Sequence, residues 1–198
     1  MKRKLFAGAL IALCLTILAY GTVAYFTDEK VAHNVITSGE IDIKLLEWAD
    51  EAKTTPFPEA GLTGVMPSTS ATKIVEIKNT GSNAAYVRAR VLFSIDGGVP
   101  ADQTPLEALV TLDLPAGGDA DAKWEYNQED RYYYYKEALE PGETTAPLFT
   151  NVGFDKTMGN WYQNKTIHVE VKAQATQAAN NGTSVLDAKG WPEASEEL

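Results

Sequence analysis

Apolar and polar side chains alternate along several stretches of this chain, and this period of two constrains the fold more than any other feature. The clearest stretch is 87–95, and the others are 41–45, 75–78, 148–154 and 167–176. Successive side chains of a strand point to opposite faces, so each stretch predicts a strand with one buried and one hydrated face. With the Gly-, Pro- and Asn-rich turns between them, about eight to ten short strands predict an all-β, antiparallel β-sandwich.

A tyrosine run marks a further pair of strands. Residues 124–126 and 131–136 flank the polar sequence 127–130, which predicts a β-hairpin. The run Tyr132-Tyr133-Tyr134-Tyr135 lies in its second strand. Alternation places two of these rings on each face of the sheet, so two fill the core. The outer two either cover ordinary sheet surface, which the residues favour, or form an exposed aromatic patch for a partner or a carbohydrate.

Helix-forming sequence is scarce. Residues 105–110 and 46–52 could each form a short helical turn, and both are too short to anchor a helical domain. The stretch 50–70 is rich in Pro, Gly, Thr and Ala and predicts a long loop. The polar sequence after Ala178 predicts a frayed end, with Trp191 as the residue that could attach it to the body.

The first 24 residues have the pattern of a signal peptide. Basic residues at 2–4 precede the apolar run 5–19, and small residues follow at Thr22 and Ala24. This order of a charged region, an apolar region and a small-residue cleavage motif predicts cleavage between Ala24 and Tyr25. We therefore expect an exported protein that begins at Tyr25.

Two other interpretations of this leader, a retained membrane anchor and a lipoprotein, fit its residues less well. A retained anchor needs about 20 apolar residues, and the run reaches that length only if it continues to Phe26 through the weakly apolar residues 20–22. Cys14 could suggest a lipoprotein, but the bulky Leu13 precedes it and the apolar run continues past it. Both features favour a cleaved leader, with membrane contact only through the uncleaved form.

Charge and cysteine content narrow the function classes. The chain has 17 basic and 27 acidic residues. Because the leader carries three of the basic residues, the cleaved protein keeps 14 basic and 27 acidic residues, a net charge of −13. Such a charge argues against binding to nucleic acid or anionic lipid. The single cysteine lies in the leader, so the exported part has no disulfide, which fits a Gram-positive exterior.

Few residues suggest catalysis or metal binding. A zinc peptidase motif needs two histidines one helical turn apart, whereas this chain has only His33 and His168. His168 is predicted to be an exposed histidine on a strand. Asp119 and Asp121 could offer oxygens to calcium, but further ligands are missing and a solvated loop is favoured. The sequence thus predicts no catalytic residue, no cofactor and no metal site.

The segment that follows the leader is the best candidate for function. Its β-forming residues are Tyr25, Phe26, Val31, Val35 and Ile36. The residues alone favour a first strand in the chain's own sheet. The alternative is that the freed segment adds as a strand to a neighbouring subunit, which would build filaments by head-to-tail repetition.

Several motifs, in order along nearly the whole chain, resemble the TasA/camelysin (CalY) family of Gram-positive exported proteins. They are Gly21-Thr22-Val23-Ala24-Tyr25-Phe26-Thr27-Asp28, Asn34-Val35-Ile36-Thr37-Ser38-Gly39-Glu40-Ile41-Asp42-Ile43, Lys78-Asn79-Thr80-Gly81-Ser82 with Ala85-Tyr86-Val87-Arg88, Leu139-Glu140-Pro141-Gly142-Glu143-Thr144-Thr145-Ala146-Pro147-Leu148-Phe149, and the last strand 169–179.

The resemblance implies a jelly-roll-like sandwich, leader removal by a SipW-type signal peptidase, and a place in an extracellular or biofilm matrix. It favours strand donation by Tyr25, Phe26, Val31, Val35 and Ile36, self-association into fibres, and contact with other matrix components. Camelysin relatives are labelled metallopeptidases, so a cell-surface metalloendopeptidase is one alternative, although no zinc motif is present. A monomeric surface adhesin that uses the tyrosine run is the other.

Together these features predict four regions. They are a signal peptide at 1–24, a possible donor strand at 25–40, a β-sandwich at 41–180 and a polar C-terminal tail at 181–198.

Overall fold

A computed structural model describes residues 41–62, 66–115, 122–162 and 165–193. The predicted cleavage site at Ala24 and Tyr25 lies outside the described residues, as does the whole donor segment with Phe26, Val31, Val35 and Ile36. His33, Asp119 and Asp121 also lie outside them.

Within the described residues, strands dominate and the all-β prediction is confirmed. The strands are β1 (Ile43–Trp48), β2 (Ser70–Asn79), β3 (Ala85–Ile95), β4 (Val110–Leu112), β5 (Trp124–Asn127), β6 (Tyr132–Tyr135), β7 (Phe149–Phe154) and β8 (Ile167–Gln177). The helical elements are α1 (Leu106–Leu109) and the 3₁₀ turns Asn160–Tyr162 and Val185–Asp187. In this described part of the chain, no helix is long and apolar enough to cross a membrane.

The strands form two antiparallel sheets of four. The first sheet has the order β1-β2-β7-β4, and the second has the order β5-β6-β3-β8. From β2 onward the chain passes repeatedly from one sheet to the other, as it does in a jelly roll. Apolar side chains from both sheets, such as Val75 and Phe149 in the first and Val87 and Ala175 in the second, belong to one buried cluster. The predicted sandwich is therefore confirmed.

The register of β3 against β8 shows how alternation builds this core. The two strands pair from Ala85 opposite Gln177 to Ile95 opposite Ile167. Val87 and Ala175 face each other and are fully buried, as the period of two predicts. Burying a side chain the size of valine contributes about 1.5–3 kcal/mol, so a one-residue slip of this register would be strongly unfavourable.

The hairpin, the short helix and the long loop occur where the sequence predicts them. β5 and β6 pair from Trp124 opposite Tyr135 to Asn127 opposite Tyr132, and α1 lies within 105–110. The described parts of the predicted loop, 50–62 and 66–70, consist mostly of turns and irregular backbone.

The predicted helical turn at 46–52 is wrong. Leu46 to Trp48 belong to β1 and pair with β2, with Leu46 opposite Glu76. The chain turns only after this strand, where the Asp50 carboxylate accepts hydrogen bonds from the backbone N–H groups of Thr54 and Thr55. Pairing with a long neighbouring strand outweighed the weak helical preference of this stretch.

The prediction of a frayed end is wrong for 178–193, which we call the C-terminal segment. It packs on the outer face of the second sheet, where Val185 is buried and Trp191 joins the same cluster. The Thr176 hydroxyl donates to the Lys189 carbonyl at 2.8 Å. As a result, the side chains of Gln174 and Thr176, predicted on a hydrated face, are buried.

Asn79 and Thr145, which lie in the motifs quoted above, attach the β2–β3 turn and the segment 139–145 to β2. Asn79 is completely buried, and its amide donates to the carbonyls of Asn83 and Leu139, both at 2.8 Å. Thr145 accepts from the N–H of Ile77 through its hydroxyl and donates its own N–H to the Ile77 carbonyl. A buried polar group needs such partners, so these motif residues have architectural roles.

Candidate functional site

The outer edge of β8 is the longest unpaired strand edge within the described residues. Among the described residues, two are bonded on this side: Ile167 exchanges two backbone hydrogen bonds with Leu62 at 3.0 and 3.1 Å, and the Gln177 carbonyl accepts from the Asn181 side-chain amide at 2.8 Å. Alternate residues of an antiparallel strand point their backbone groups to the same side. The N–H and C=O groups of Val169, Val171 and Ala173 therefore point away from β3, towards this open edge.

The other sheet edges are shorter or partly covered. The outer side of β1 is bonded to the loop that follows it: Phe57 donates to the Glu47 carbonyl at 2.9 Å, and Ala49 donates to Thr55 at 2.8 Å. β4 has three residues and β5 has four. In contrast, β8 has 11 residues, so it offers a template of ordinary strand length to an added strand.

The tyrosine run divides as alternation predicts, but its outer rings are covered. Tyr135 belongs to the main core and packs edge-to-face on Trp124 at 5.1 Å. Tyr132 and Tyr134 point to the outer face and are 4% and 5% exposed, because the C-terminal segment covers them. The patch proposed for a partner or a carbohydrate is therefore occupied by the chain itself.

Arg88 is the centre of this covered cluster. Its guanidinium donates to the Tyr134 hydroxyl at 2.8 Å, to Asp130 at 3.2 Å and to Gln174 at 2.8 Å. It also lies over the rings of Tyr132 at 4.1 Å, Trp191 at 4.6 Å and Tyr134 at 5.7 Å. Burial, together with the hydrogen bond that the Tyr134 hydroxyl donates to Asp130, raises the pKa of Tyr134. Arg88 is thus held by its own chain and serves the fold.

Beyond Ala89, β3 loses its neighbour on one side. Its pairing with β6 ends where Ala89 lies opposite Tyr133. Since Ala85 exchanges hydrogen bonds with Leu139 on that side, alternation turns the backbone groups of Val91 and Phe93 to the same side. No strand of the described chain lies beside them there.

Two clefts open along this free stretch, with volumes of 280 and 460 Å³. We call the smaller one the β3 groove. Its aromatic walls and charged side chains are Phe93, Tyr126, Tyr133, Arg90, Arg131 and Glu107. The larger cleft shares Phe93 and Glu107 and continues past Val99 and Pro100.

The two arginines of the β3 groove differ from Arg88. The side chains of Arg90 and Arg131 make no hydrogen bond and no ion pair with any other described residue. Arg131 lies at the end of the hairpin turn and has a φ of 62°. Tyr126 is 36% exposed, and its ring lies tilted on Tyr133 at 4.7 Å. Burial, and to a smaller extent the neighbouring Tyr126, raises the pKa of Tyr133.

His168 lies on β8 and is about one-third exposed, with its Nε2 3.1 Å from Asp96 Oδ1. Across the ranges that the structure describes, no group of three or more His, Cys, Asp or Glu side chains could hold a metal ion. A metalloendopeptidase therefore gains no support from these residues.

Comparison with known proteins gives no further assignment. No protein-family model matches the chain, and no curated protein matches it. The likeness to the TasA/camelysin family rests on the motifs quoted above.

Sequence patterns marked some of these residues and missed others. Alternation placed Arg88 and Arg90 on the outer face of β3, but nothing in the sequence distinguished the covered arginine from the open one. Tyr126 and Arg131 were assigned to the hairpin without a functional role. Their approach to β3 depends on where the β6 pairing ends, which is a property of the folded sheet.

Proposed function

We propose that this chain is an exported structural protein of an extracellular or biofilm matrix, and that it assembles into fibres by strand donation. A SipW-type signal peptidase would cut between Ala24 and Tyr25. The freed segment 25–36 would then pair with a neighbouring subunit at the cell surface or in the matrix, where other matrix components could join. The observation that carries the proposal is the open edge of β8.

The lengths of donor and acceptor support this pairing. A strand rises about 3.3 Å per residue, so 25–36 would extend roughly 40 Å and the 11 residues of β8 roughly 36 Å. A donor of this length could bond to the outward backbone groups of Val169, Val171 and Ala173. Head-to-tail repetition of such a contact produces an open filament rather than a closed ring.

Backbone hydrogen bonds alone would not hold the donor. Each contributes about 1 kcal/mol net, whereas ordering each residue costs about 1–2 kcal/mol. Apolar side chains must supply the difference, and Tyr25, Val31 and Val35 stand at odd positions that share one strand face. We expect these side chains to lie on the core side, beside Val169 and Val171.

Electron microscopy and light scattering would test the proposal. The chain that begins at Tyr25 should form filaments, and the chain that lacks 25–38 should remain monomeric under the same pH and salt. Monomers from both chains under all conditions would contradict fibre assembly.

A proline variant tests the acceptor edge separately. In Ala173→Pro the lost N–H points away from β3, so the β3 ladder is kept, while the outer edge loses a donor. We expect this variant to fold, by circular dichroism, and to form few or no filaments. Normal filaments from folded Ala173→Pro would overturn β8 as the acceptor, even if strand donation itself holds.

A further inference from the structure

The β3 groove combines positive charge with aromatic surface. The chain carries 27 acidic and 17 basic residues, yet Arg90 and Arg131 line one cleft without a carboxylate partner among the described residues. Glu107 shares the groove and forms no ion pair with either arginine. Guanidinium groups bind carboxylates through two parallel hydrogen bonds. The charge pattern thus fits a ligand with carboxylate groups.

The aromatic wall fits the apolar face of a sugar ring. Tyr126 is the exposed large aromatic residue of the hairpin, and it lines the cleft together with Tyr133, against which its ring is tilted by 36°. An aromatic ring with a polar hydroxyl suits a ligand that is apolar on its face and polar at its rim. The groove therefore combines an aromatic wall with two arginines, a combination that suits a charged ligand with an apolar face better than a purely apolar one.

Backbone groups provide the remaining polar contacts. Val91 and Phe93 direct their N–H and C=O groups to the side of β3 that has no described neighbour. Hydroxyl groups can both donate to and accept from such groups. The β3 groove has a volume of 280 Å³, just below the range of about 300–1,000 Å³ that is usual for ligand sites, and the adjoining 460 Å³ cleft extends this space along β3.

We propose that the β3 groove binds an acidic oligosaccharide, with a uronic-acid carboxylate on Arg90 and Arg131 and a sugar ring on Tyr126. An extended acidic peptide fits less well. The β5–β6 hairpin already occupies the neighbouring strand position on this side of β3, because β6 pairs with Arg88 and Ala89. A strand added beside Val91 would meet that hairpin at once and could pair only with the short remainder of β3. This binding activity goes beyond fibre assembly and does not depend on it.

Isothermal titration calorimetry with a short oligogalacturonate would test the proposal. The matched ligand is the same oligosaccharide with its carboxyl groups methyl-esterified. We expect the acidic form to bind at least tenfold more tightly. Measurements on the chain that begins at Tyr25 and on the chain that lacks 25–38 should agree, so a failure of assembly would not affect the result.

Four variants locate the site. Arg90→Gln and Arg131→Asn should each weaken binding about tenfold, and asparagine tolerates the positive φ at position 131. Tyr126→Ala should weaken binding of both ligand forms. Lys172→Gln is the control, because Lys172 lies opposite Arg90 in the β3–β8 pairing without lining the groove. Its binding should change less than twofold.

Several results would overturn the proposal. They are no binding of oligogalacturonate, equal binding of the esterified form, an equal loss in Lys172→Gln, or binding of an acidic peptide alone with the same dependence on Arg90 and Arg131. Circular dichroism and thermal unfolding of each variant would show that a loss of binding is not a loss of fold.

Discussion

Each half of β3 presents an arginine on the outer face of the sheet, but one arginine is covered by the chain and the other lies at an open groove. Arg88 and Arg90 stand two residues apart on the same face of one strand. Arg88 is surrounded by the rings of Tyr132, Tyr134 and Trp191. Its guanidinium donates hydrogen bonds to other side chains of the protein, among them the Tyr134 hydroxyl. Arg90 borders an open groove and has no side-chain partner among the described residues.

Neighbouring strands cause this difference. The short β6 pairs with β3 only at Arg88 and Ala89, and the C-terminal segment covers only that half of the outer face. A charged group surrounded by protein is destabilising unless it is paired. A charged group at an open groove is hydrated instead, and it can bind a ligand. The first half of β3 therefore serves stability, and the second half is available for binding.

The largest expected effect comes from Arg88→Met, which keeps most of the length of the side chain and removes its charge. Arg88→Met leaves Asp130 and the Tyr134 hydroxyl without their cation. Breaking a buried pair costs about 3–5 kcal/mol, and because the Asp130 side chain is 33% exposed, we expect a loss of about 2–3 kcal/mol in the free energy of unfolding. Urea denaturation followed by tyrosine and tryptophan fluorescence measures it.

Arg90→Met is the matched control for that experiment. Since the Arg90 side chain has no partner among the described residues, the free energy of unfolding of this variant should change by less than about 0.5 kcal/mol. Equal losses in the two variants would contradict the division of β3 into a structural half and an open half.

The sheet architecture was predictable from local alternation, because a strand with one buried face must repeat its apolar residues every second position. Val87 to Ile95 and the partner residues of β8 illustrate this. The stretch 46–52 was mispredicted because pairing with β2 cannot be seen locally. The cover over Tyr132 and Tyr134 was missed for a similar reason, since only the folded chain brings Trp191 back to them.

The candidate sites depended even more on long-range contacts. Whether an edge is free follows from which strands lie beside it, and no local pattern in 167–176 reports that. Likewise, Arg90, Tyr126 and Arg131 come together because β6 is short and its hairpin turns next to β3. The sequence identified the residue types, and the register of the sheet decided their neighbours.

A smaller effect is expected from Trp191→Ala, which removes part of the cover while leaving Arg88 in place. The variant loses a cation–π contact of 4.6 Å with Arg88 and an edge-to-face contact of 5.7 Å with Tyr134. Such contacts contribute about 0.5–2 kcal/mol each, so we expect a loss of about 2 kcal/mol.

Limited proteolysis gives the second measurement for this variant. The C-terminal segment should become cleavable after Gln177 while the sandwich remains intact. Trp191→Phe, which keeps a ring, should lose less stability and resist cleavage better. A Trp191→Ala protein as stable and as resistant as the parent would show that this tryptophan does not hold the segment in place.

The smallest effect, and the one that depends on pH, is expected from Tyr134→Phe. This variant removes the hydroxyl that accepts from Arg88 and donates to Asp130, and one such bond is worth about 1 kcal/mol at neutral pH. The fold raises the pKa of Tyr134 above its usual value, first through burial and then through Asp130. The folded state therefore holds this proton more tightly than the unfolded chain does. Its contribution is complete below a pH of about 10, the usual tyrosine pKa, and is lost as the pH rises through the higher folded value.

The free energy of unfolding of the parent protein should accordingly fall more steeply above that pH than that of Tyr134→Phe, so that the difference between them narrows. Tyr86→Phe is the control, because Tyr86 packs against the same cluster and its hydroxyl bonds to no described residue. Urea denaturation at a series of pH values from neutral to alkaline measures all three proteins. Parallel pH profiles for the parent and Tyr134→Phe would show that the Tyr134 proton is not linked to folding, and that the covered half of β3 is held by ring packing and Arg88 rather than by this hydroxyl.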